Sequence, residues 1–163
     1  GLAFGTGFHP TTAMCLEELE IRVSVGSKLL DLGCGSGILS IAAAKLGAGK
    51  IFAMDIEEQA VRATKNNISL NNLGKKVEVL QGSLPKEGVN NVQILVANIS
   101  AKVLIELARP LATTLGSEGI LIASGFLNER FDDVIQSFNA AGLSLIKQKD
   151  VQDWVTVVLS RSY

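Results

Sequence analysis

Leu29–Gly49 reads LLDLGCGSGILSIAAAKLGAG. The apolar run Leu29–Leu32 meets glycines at 33, 35 and 37, and an alanine- and isoleucine-rich run of helical character follows as far as Gly47 and Gly49. A strand that passes through a glycine turn into a helix is the first unit of a doubly wound sheet, whose ligands lie outside the carboxyl ends of the strands. We expect a strand over Lys28–Asp31 and a helix over Gly37–Leu46, started by a Ser36 cap and ended by the following glycines. The glycines carry a physical requirement. Gly33 and Gly35 keep side chains away where the main chain approaches a ligand, and Gly37 lets the helix start pack closely.

Working outward, the same alternation continues. Lys50–Asp55 (KIFAMD) and Val92–Ala97 (VQILVA) read as buried strands, the second with Asn98 at its end. Val77–Leu80 and Gly119–Ser124 read as two more. Between them, residues from Glu57 to about Asn71 form an amphipathic helix with acids in its first turn. Ser100–Leu115 is helical, with Pro110 either kinking it or opening a second short helix. A helix over Glu129–Ala141 precedes strands Leu143–Lys149 and Trp154–Leu159, which are too close in sequence for a parallel crossover and so pair antiparallel. A helix over Pro10–Glu20 stands before the first strand. The expected fold is α/β: a Rossmann-like, seven-stranded, mainly parallel sheet ending in a C-terminal antiparallel hairpin, with helices on both faces.

Composition narrows the function classes. The 163 residues suit one domain, and a hydrophobic content of 47% excludes a disordered chain. Fifteen Lys and Arg against sixteen Asp and Glu leave a net charge of -1, which argues against direct binding of nucleic acid through phosphate neutralisation. No apolar run is long enough to span a membrane, and no signal peptide is visible. The two cysteines, Cys15 and Cys34, make no disulfide framework, which fits a reducing, cytoplasmic setting. No Cys/His cluster has metal-ligand spacing.

The glycine spacing distinguishes cofactors. A dinucleotide turn is GxGxxG; here it is GxGxG, with Ile38 where the dinucleotide pattern continues. Asp31 stands two residues before the turn, where a negative charge suits a diphosphate poorly and suits the ammonium or sulfonium of S-adenosyl-L-methionine well. Asp55, closing the second strand, can accept the ribose hydroxyls of an adenosine, and its neighbour Ile56 is counted among the cofactor contacts with Gly33, Gly35 and Gly37. The bland alternative is that both acids are solvated loop residues.

DLGCGSG with Asp55 resembles the class I S-adenosylmethionine-dependent methyltransferases. GLAFGTGFHPTT at residues 1–12, together with VANIS at 96–100, narrows the resemblance to the catalytic domain of the ribosomal protein L11 methyltransferase (PrmA) family. That family's runs are close to GTGTHPTT, DxGCGSGIL and NIL; here Phe8 replaces a threonine and Ser100 a leucine. The resemblance implies contacts to the cofactor at Thr12, Gly33, Asp55 and Asn98. It also implies that Phe4, Gly5, Thr6 and Gly7 lie over the cofactor. The expected activity is methyl transfer to a lysine ε-amino or N-terminal α-amino group of a ribosomal protein, with Asn98 orienting cofactor or acceptor. The family's N-terminal recognition domain has no counterpart in this sequence.

Three alternatives stay open on sequence grounds. They are a related methyltransferase with another protein or a small molecule as acceptor, a nicotinamide-dependent dehydrogenase, and a binding module without turnover. Single residues carry bland readings too. His9, the only histidine, is read as fixing the turn before Pro10 in preference to serving as a base, and Thr11 or Thr12 as a helix cap. Trp154 and Cys15 are read as packing residues.

Overall fold

Alternation in the first strand sets the two faces of the sheet. In the computed structural model, which describes residues 8–162, β1 spans Lys28–Leu32. Leu30 and Leu32 point into one hydrophobic cluster, and Leu29 into the other. Asp31 shares the Leu29 face, because side chains alternate along a strand. The remaining strands are β2 (Lys50–Asp55), β3 (Val77–Gln81), β4 (Val92–Asn98), β5 (Leu115–Leu127), β6 (Leu143–Val151) and β7 (Trp154–Arg161). Their order across the sheet is β3-β2-β1-β4-β5-β7-β6. Strands β1 to β5 pair in parallel, and β7 pairs antiparallel with both β5 and β6. The expected mainly parallel seven-stranded sheet with its antiparallel hairpin is therefore observed. The hairpin turn, Gln152–Asp153, has positive φ at both residues (51° and 68°), the combination a tight type I′ turn requires.

Helices cover both faces. Against Leu29, Ile51, Ile94 and Val96 pack α1 (Pro10–Arg22), α2 (Ile38–Lys45) and α3 (Glu58–Leu70). Against Leu30, Met54, Leu95 and Leu121 pack α4 (Ala101–Glu106), α5 (Ala108–Thr114) and α6 (Phe131–Ala140). Helix α3 buries Val61, Thr64 and Ile68, spaced as one helical stripe. Glu18, buried on α1, is held by Arg22 at 3.1 Å and by Lys147 of β6 at 2.5 Å, which ties the first helix to the sheet edge.

Several boundaries differ from expectation. Gly37, in the left-handed region with φ +88°, is the N-cap of α2 and offers no side-chain bond, so Ser36 does not cap this helix. The expected Ser100–Leu115 helix breaks at Leu107, and Pro110 sits in the first turn of α5, where a missing N–H leaves no bond unmade. Strand β5 begins at Leu115, earlier than Gly119, because Leu115 already pairs with Val92. A 3₁₀ turn, Asn128–Arg130, precedes α6.

The chain runs outward from β1 through β2 to β3, then returns to lay β4 on the other side of β1. This reversal makes a switch point between β1 and β4, the place where an open α/β sheet leaves a crevice at its carboxyl ends.

Candidate functional site

The glycine turn leaves β1 at that crevice. The N–H groups of Gly33 and Cys34 both donate to Met54 O, at 2.8 and 3.0 Å, so β2 fixes the start of the turn. Each turn glycine has positive φ: 76° at Gly33, 54° at Gly35 and 88° at Gly37. A Cβ on each would meet something different. At Gly33 it would lie 2.4 Å from Ile99 Cγ2; at Gly37, 3.0 Å from Thr64 Cγ2; at Gly35 nothing lies within 4 Å. The sequence reading that Gly37 serves close packing is thus observed. At Gly33, read as bare for a ligand, the side-chain position is taken by the protein's own Ile99, while the residue itself lines the cavity beside Asp55. Gly35 is the position whose side-chain space opens outward.

Helix α3 holds the turn from the other side, which sequence reasoning missed. Thr64, fully buried, donates its hydroxyl to Gly35 O at 2.8 Å and lies 3.3 Å from Cys34 Sγ. Asn67 Nδ2 donates to Ser36 O at 2.8 Å. No local motif announces these bonds, since partners about thirty residues apart meet only after folding.

The two acids play different parts, and neither is a solvated loop residue. Asp55, half-buried at the end of β2, accepts Gly35 N–H on Oδ2 at 3.0 Å and Glu57 N–H on Oδ1 at 2.9 Å. Each oxygen keeps a further lone pair for a hydroxyl donor. Asp31 is 1% exposed. Ser40 of α2 donates to its Oδ2 at 2.7 Å, and its Oδ1 has no hydrogen-bond partner. Burial pushes this carboxyl up to about 6, against the Ser40 bond, which pulls it down. A buried acceptor without a donor is an expensive arrangement that a bound cation would relieve.

Strand β4 brings the third candidate side chain. Asn98 ends the strand, and its Nδ2 donates to Thr12 Oγ1 of α1 at 3.5 Å across 86 residues. Two of the four residues that the resemblance assigned to the cofactor are therefore neighbours. Beyond Asn98, Ile99 N–H donates to Ser124 O at 3.0 Å, and Ser100 caps α4 by accepting Val103 N–H at 3.4 Å. At the start of α1 the cap is His9, whose Nδ1 accepts Thr11 N–H at 3.2 Å; Thr11 and Thr12 are not the cap. The His9 ring stands edge-on to Trp154 at 4.6 Å, so Trp154 packs as expected, and His9, expected to fix the turn before Pro10, serves there as the cap. Phe4, Gly5, Thr6 and Gly7 lie outside the described residues.

A cavity of about 310 Å³ opens beside the turn, lined by Gly33, Asp55, Ile56, Ser83, Ile99 and Val103 among others. Ile56, a sequence candidate, is 65% exposed at its rim. Ser83 and Val103 were missed; Ser83 follows the carboxyl end of β3, which the topology rule alone could have flagged. A larger cavity of about 580 Å³ sits at the amino ends of the strands, around Arg22, Asn91, Gln93 and Glu118. Its place at the opposite end of the sheet, away from both acids and the glycine turn, gives it no part in this site. Among the described residues no three His, Cys, Asp or Glu side chains gather as a metal site, and no helix is long and apolar enough to cross a membrane.

Comparison with known proteins places this geometry in a family. The model of the ribosomal protein L11 methyltransferase (PrmA) family matches residues 1–162. The chain is 43% identical over 162 residues to the ribosomal protein L11 methyltransferase of Heliobacterium modesticaldum, covering 99% of this chain and 51% of that protein. It is 39% identical over 161 residues to that of Exiguobacterium sibiricum, again covering 99% of this chain and 51% of the relative. The chain thus spans about half the length of the curated relatives it matches. Among solved structures, the ribosomal protein L11 methylase of Lactobacillus delbrueckii subsp. bulgaricus superposes with a TM-score of 0.90 at 29% identity, covering 96% of this chain and 81% of that one. A SAM-dependent methyltransferase from Aquifex aeolicus, at 19% identity and a TM-score of 0.74 over 93% of this chain and 89% of that one, shares the fold. On sequence and architecture together, the chain belongs to the ribosomal protein L11 methyltransferase family.

Proposed function

We propose that this chain binds S-adenosyl-L-methionine and transfers its methyl group to an amine of a ribosomal protein, L11 being the acceptor that the family's name supplies. One observation carries the reading. At the carboxyl ends of three adjacent strands stand a buried Asp31 with an orphaned oxygen, a half-buried Asp55 that accepts from Gly35 N–H, and Asn98, beside a turn in which the side-chain space of Gly35 is open. A cation beside Asp31, an adenosine beside Asp55 and a planar carbonyl at Asn98 match the three parts of such a reaction. The same orphaned carboxylate disfavours a nicotinamide dinucleotide, whose diphosphate would meet a negative charge.

The bound cofactor supplies an activated methyl group on a sulfonium centre, so that the protein's task is alignment. Asp31 offers Oδ1 to the cofactor's ammonium, and Asp55 offers its remaining lone pairs to the ribose. Ile56 and Val103 give an apolar wall to the cavity beside Asp55. Thr12 engages Nδ2 of Asn98, which leaves Asn98 Oδ1 as the group to receive an N–H of the acceptor amine and aim its lone pair. That amine must be neutral to attack, against an ordinary value of about 10.4 for lysine, and an apolar pocket lowers it. The new C–N bond forms as the C–S bond breaks, and the amine's proton leaves to solvent. An acceptor on a ribosomal protein places the reaction in the cytoplasm.

The test is mass spectrometry of purified ribosomal protein L11 incubated with this chain and the cofactor, alongside calorimetry with the cofactor and its demethylated product, S-adenosylhomocysteine. Binding heat together with added methyl groups on L11 is the expected result. Heat without transfer to any acceptor would leave a binding module, and no heat from either compound would remove the reading altogether.

A further inference from the structure

We propose that Ile99 is a positioning residue that registers the acceptor-side segment Asn98–Ser100 against the glycine turn, its Cγ2 methyl occupying the space Gly33 leaves by lacking a Cβ. The inference rests on the proposed reading that the turn faces the cofactor and Asn98 faces the acceptor.

Ile99 is gripped from two sides by glycines. On the cofactor side, a Cβ at Gly33 would come to 2.4 Å from Ile99 Cγ2, far inside van der Waals contact. On the sheet side, a Cβ at Gly125 would come to 2.3 Å from Ile99 O and 2.8 Å from its N and C atoms. Gly125 has φ +101° and sits where the register of β5 against β7 shifts, between Ser124 and Phe126. That irregularity lets the main chain of Ile99 lie against the strand while its N–H donates to Ser124 O at 3.0 Å. Ser124 is itself immobilised: fully buried, it donates to Val155 O at 2.7 Å and accepts from Thr156 Oγ1 at 2.7 Å.

The consequence is mechanical. Asn98 immediately precedes this gripped residue and Ser100, the cap of α4, immediately follows it. The height of Asn98 over the turn is therefore set by a side chain-to-glycine contact on one face and a main chain-to-glycine contact on the other. Closely packed interiors transmit such contacts because they deform little. The missing Cβ of Gly33 is then required by the protein's own acceptor segment, whereas a Cβ at Gly35 would meet open space.

The two contacts differ in kind, and this makes the proposal testable by compensation. Three quantities are read for wild type, Gly33→Ala, Ile99→Ala, Ile99→Val, Gly125→Ala and the two alanine doubles with Ile99→Ala. They are the Kd for S-adenosylhomocysteine by calorimetry, the side-chain amide resonance of Asn98 in a 15N-edited spectrum, and the thermal midpoint. Gly33→Ala should weaken binding at least about tenfold and shift the Asn98 resonance, through the clash and its positive φ. Adding Ile99→Ala removes Cγ2 and should recover the part of both due to the clash, leaving the part due to the positive φ. Gly125→Ala should show no such recovery, because the atoms it meets are main chain and survive the substitution. Ile99→Val keeps Cγ2 and should keep the native Asn98 resonance, whereas Ile99→Ala should move it. Equal impairment of Gly33→Ala with and without Ile99→Ala, or failure of both to fold, overturns the proposal. If wild type itself gives no heat with S-adenosylhomocysteine, the functional reading fails separately. The Asn98 resonances and midpoints then still decide the Ile99 contact, by coupling at Gly33 and additivity at Gly125.

Discussion

Asp31→Asn tests the electrostatics of the site directly. Burial raises the Asp31 carboxyl from an ordinary 3.8 to about 6. The native state therefore holds this proton more tightly than the unfolded chain does. The sign follows from linkage: Asp31 contributes stability that is complete below about pH 4 and is lost as pH rises through about 6. At about 1.4 kcal/mol for each factor of ten in proton affinity, the difference is about 3 kcal/mol. Denaturant melts of wild type and Asp31→Asn at a series of pH values should show it. Relative to the variant, wild type should lose up to about 3 kcal/mol between pH 4 and pH 7. Neither neighbouring thiol competes in this window, since burial pushes the Cys15 thiol up and the Cys34 thiol up to about 12. Ligand binding adds a second readout. An ammonium placed beside Asp31 Oδ1 favours the ionised carboxylate, so binding at pH 5.5 should expel about three quarters of a proton. Calorimetry of S-adenosylhomocysteine in two buffers of different ionisation enthalpy counts that proton. Wild type releasing no proton at pH 5.5, or Asp31→Asn releasing as much as wild type, would refute the placement of Asp31 beside the cofactor's cation.

Gly35→Ala should fold, because its Cβ meets open space; the positive φ costs about 1 kcal/mol, while a methyl group in the ligand's approach should raise the calorimetric Kd by more than about tenfold. Thr64→Val removes the hydroxyl donated to Gly35 O within a fully buried setting, and should lower the unfolding free energy by about 1–3 kcal/mol in denaturant titration. Glu18→Gln removes the buried anion between Arg22 and Lys147. Because both partners keep some contact with water, a loss of about 1–2 kcal/mol is expected, smaller than for a fully buried pair.

The architecture could be read before folding because it is written in short-range pattern. Period-two apolar runs, glycine turns and helical stripes are properties of neighbouring residues, and they placed every strand within a few positions and put Asp31, Asp55 and Asn98 at strand ends. The cap of α2 escaped because a serine before a helix looks the same whether or not its side chain bonds; the left-handed turn at Gly37 made the serine unnecessary. Other features depend on residues remote in sequence. The hydroxyl of Thr64 on Gly35 and the amide of Asn98 on Thr12 join positions 29 and 86 residues apart. Whether Asp31 was solvated or buried was settled by α2 closing over its face of the sheet. Packing also added a requirement at Gly33 that the sequence did not announce, a seat for Ile99. A chain's local chemistry states what each residue prefers; which neighbour fills the space beside it is a property of packing, and packing exists only once distant segments have come together.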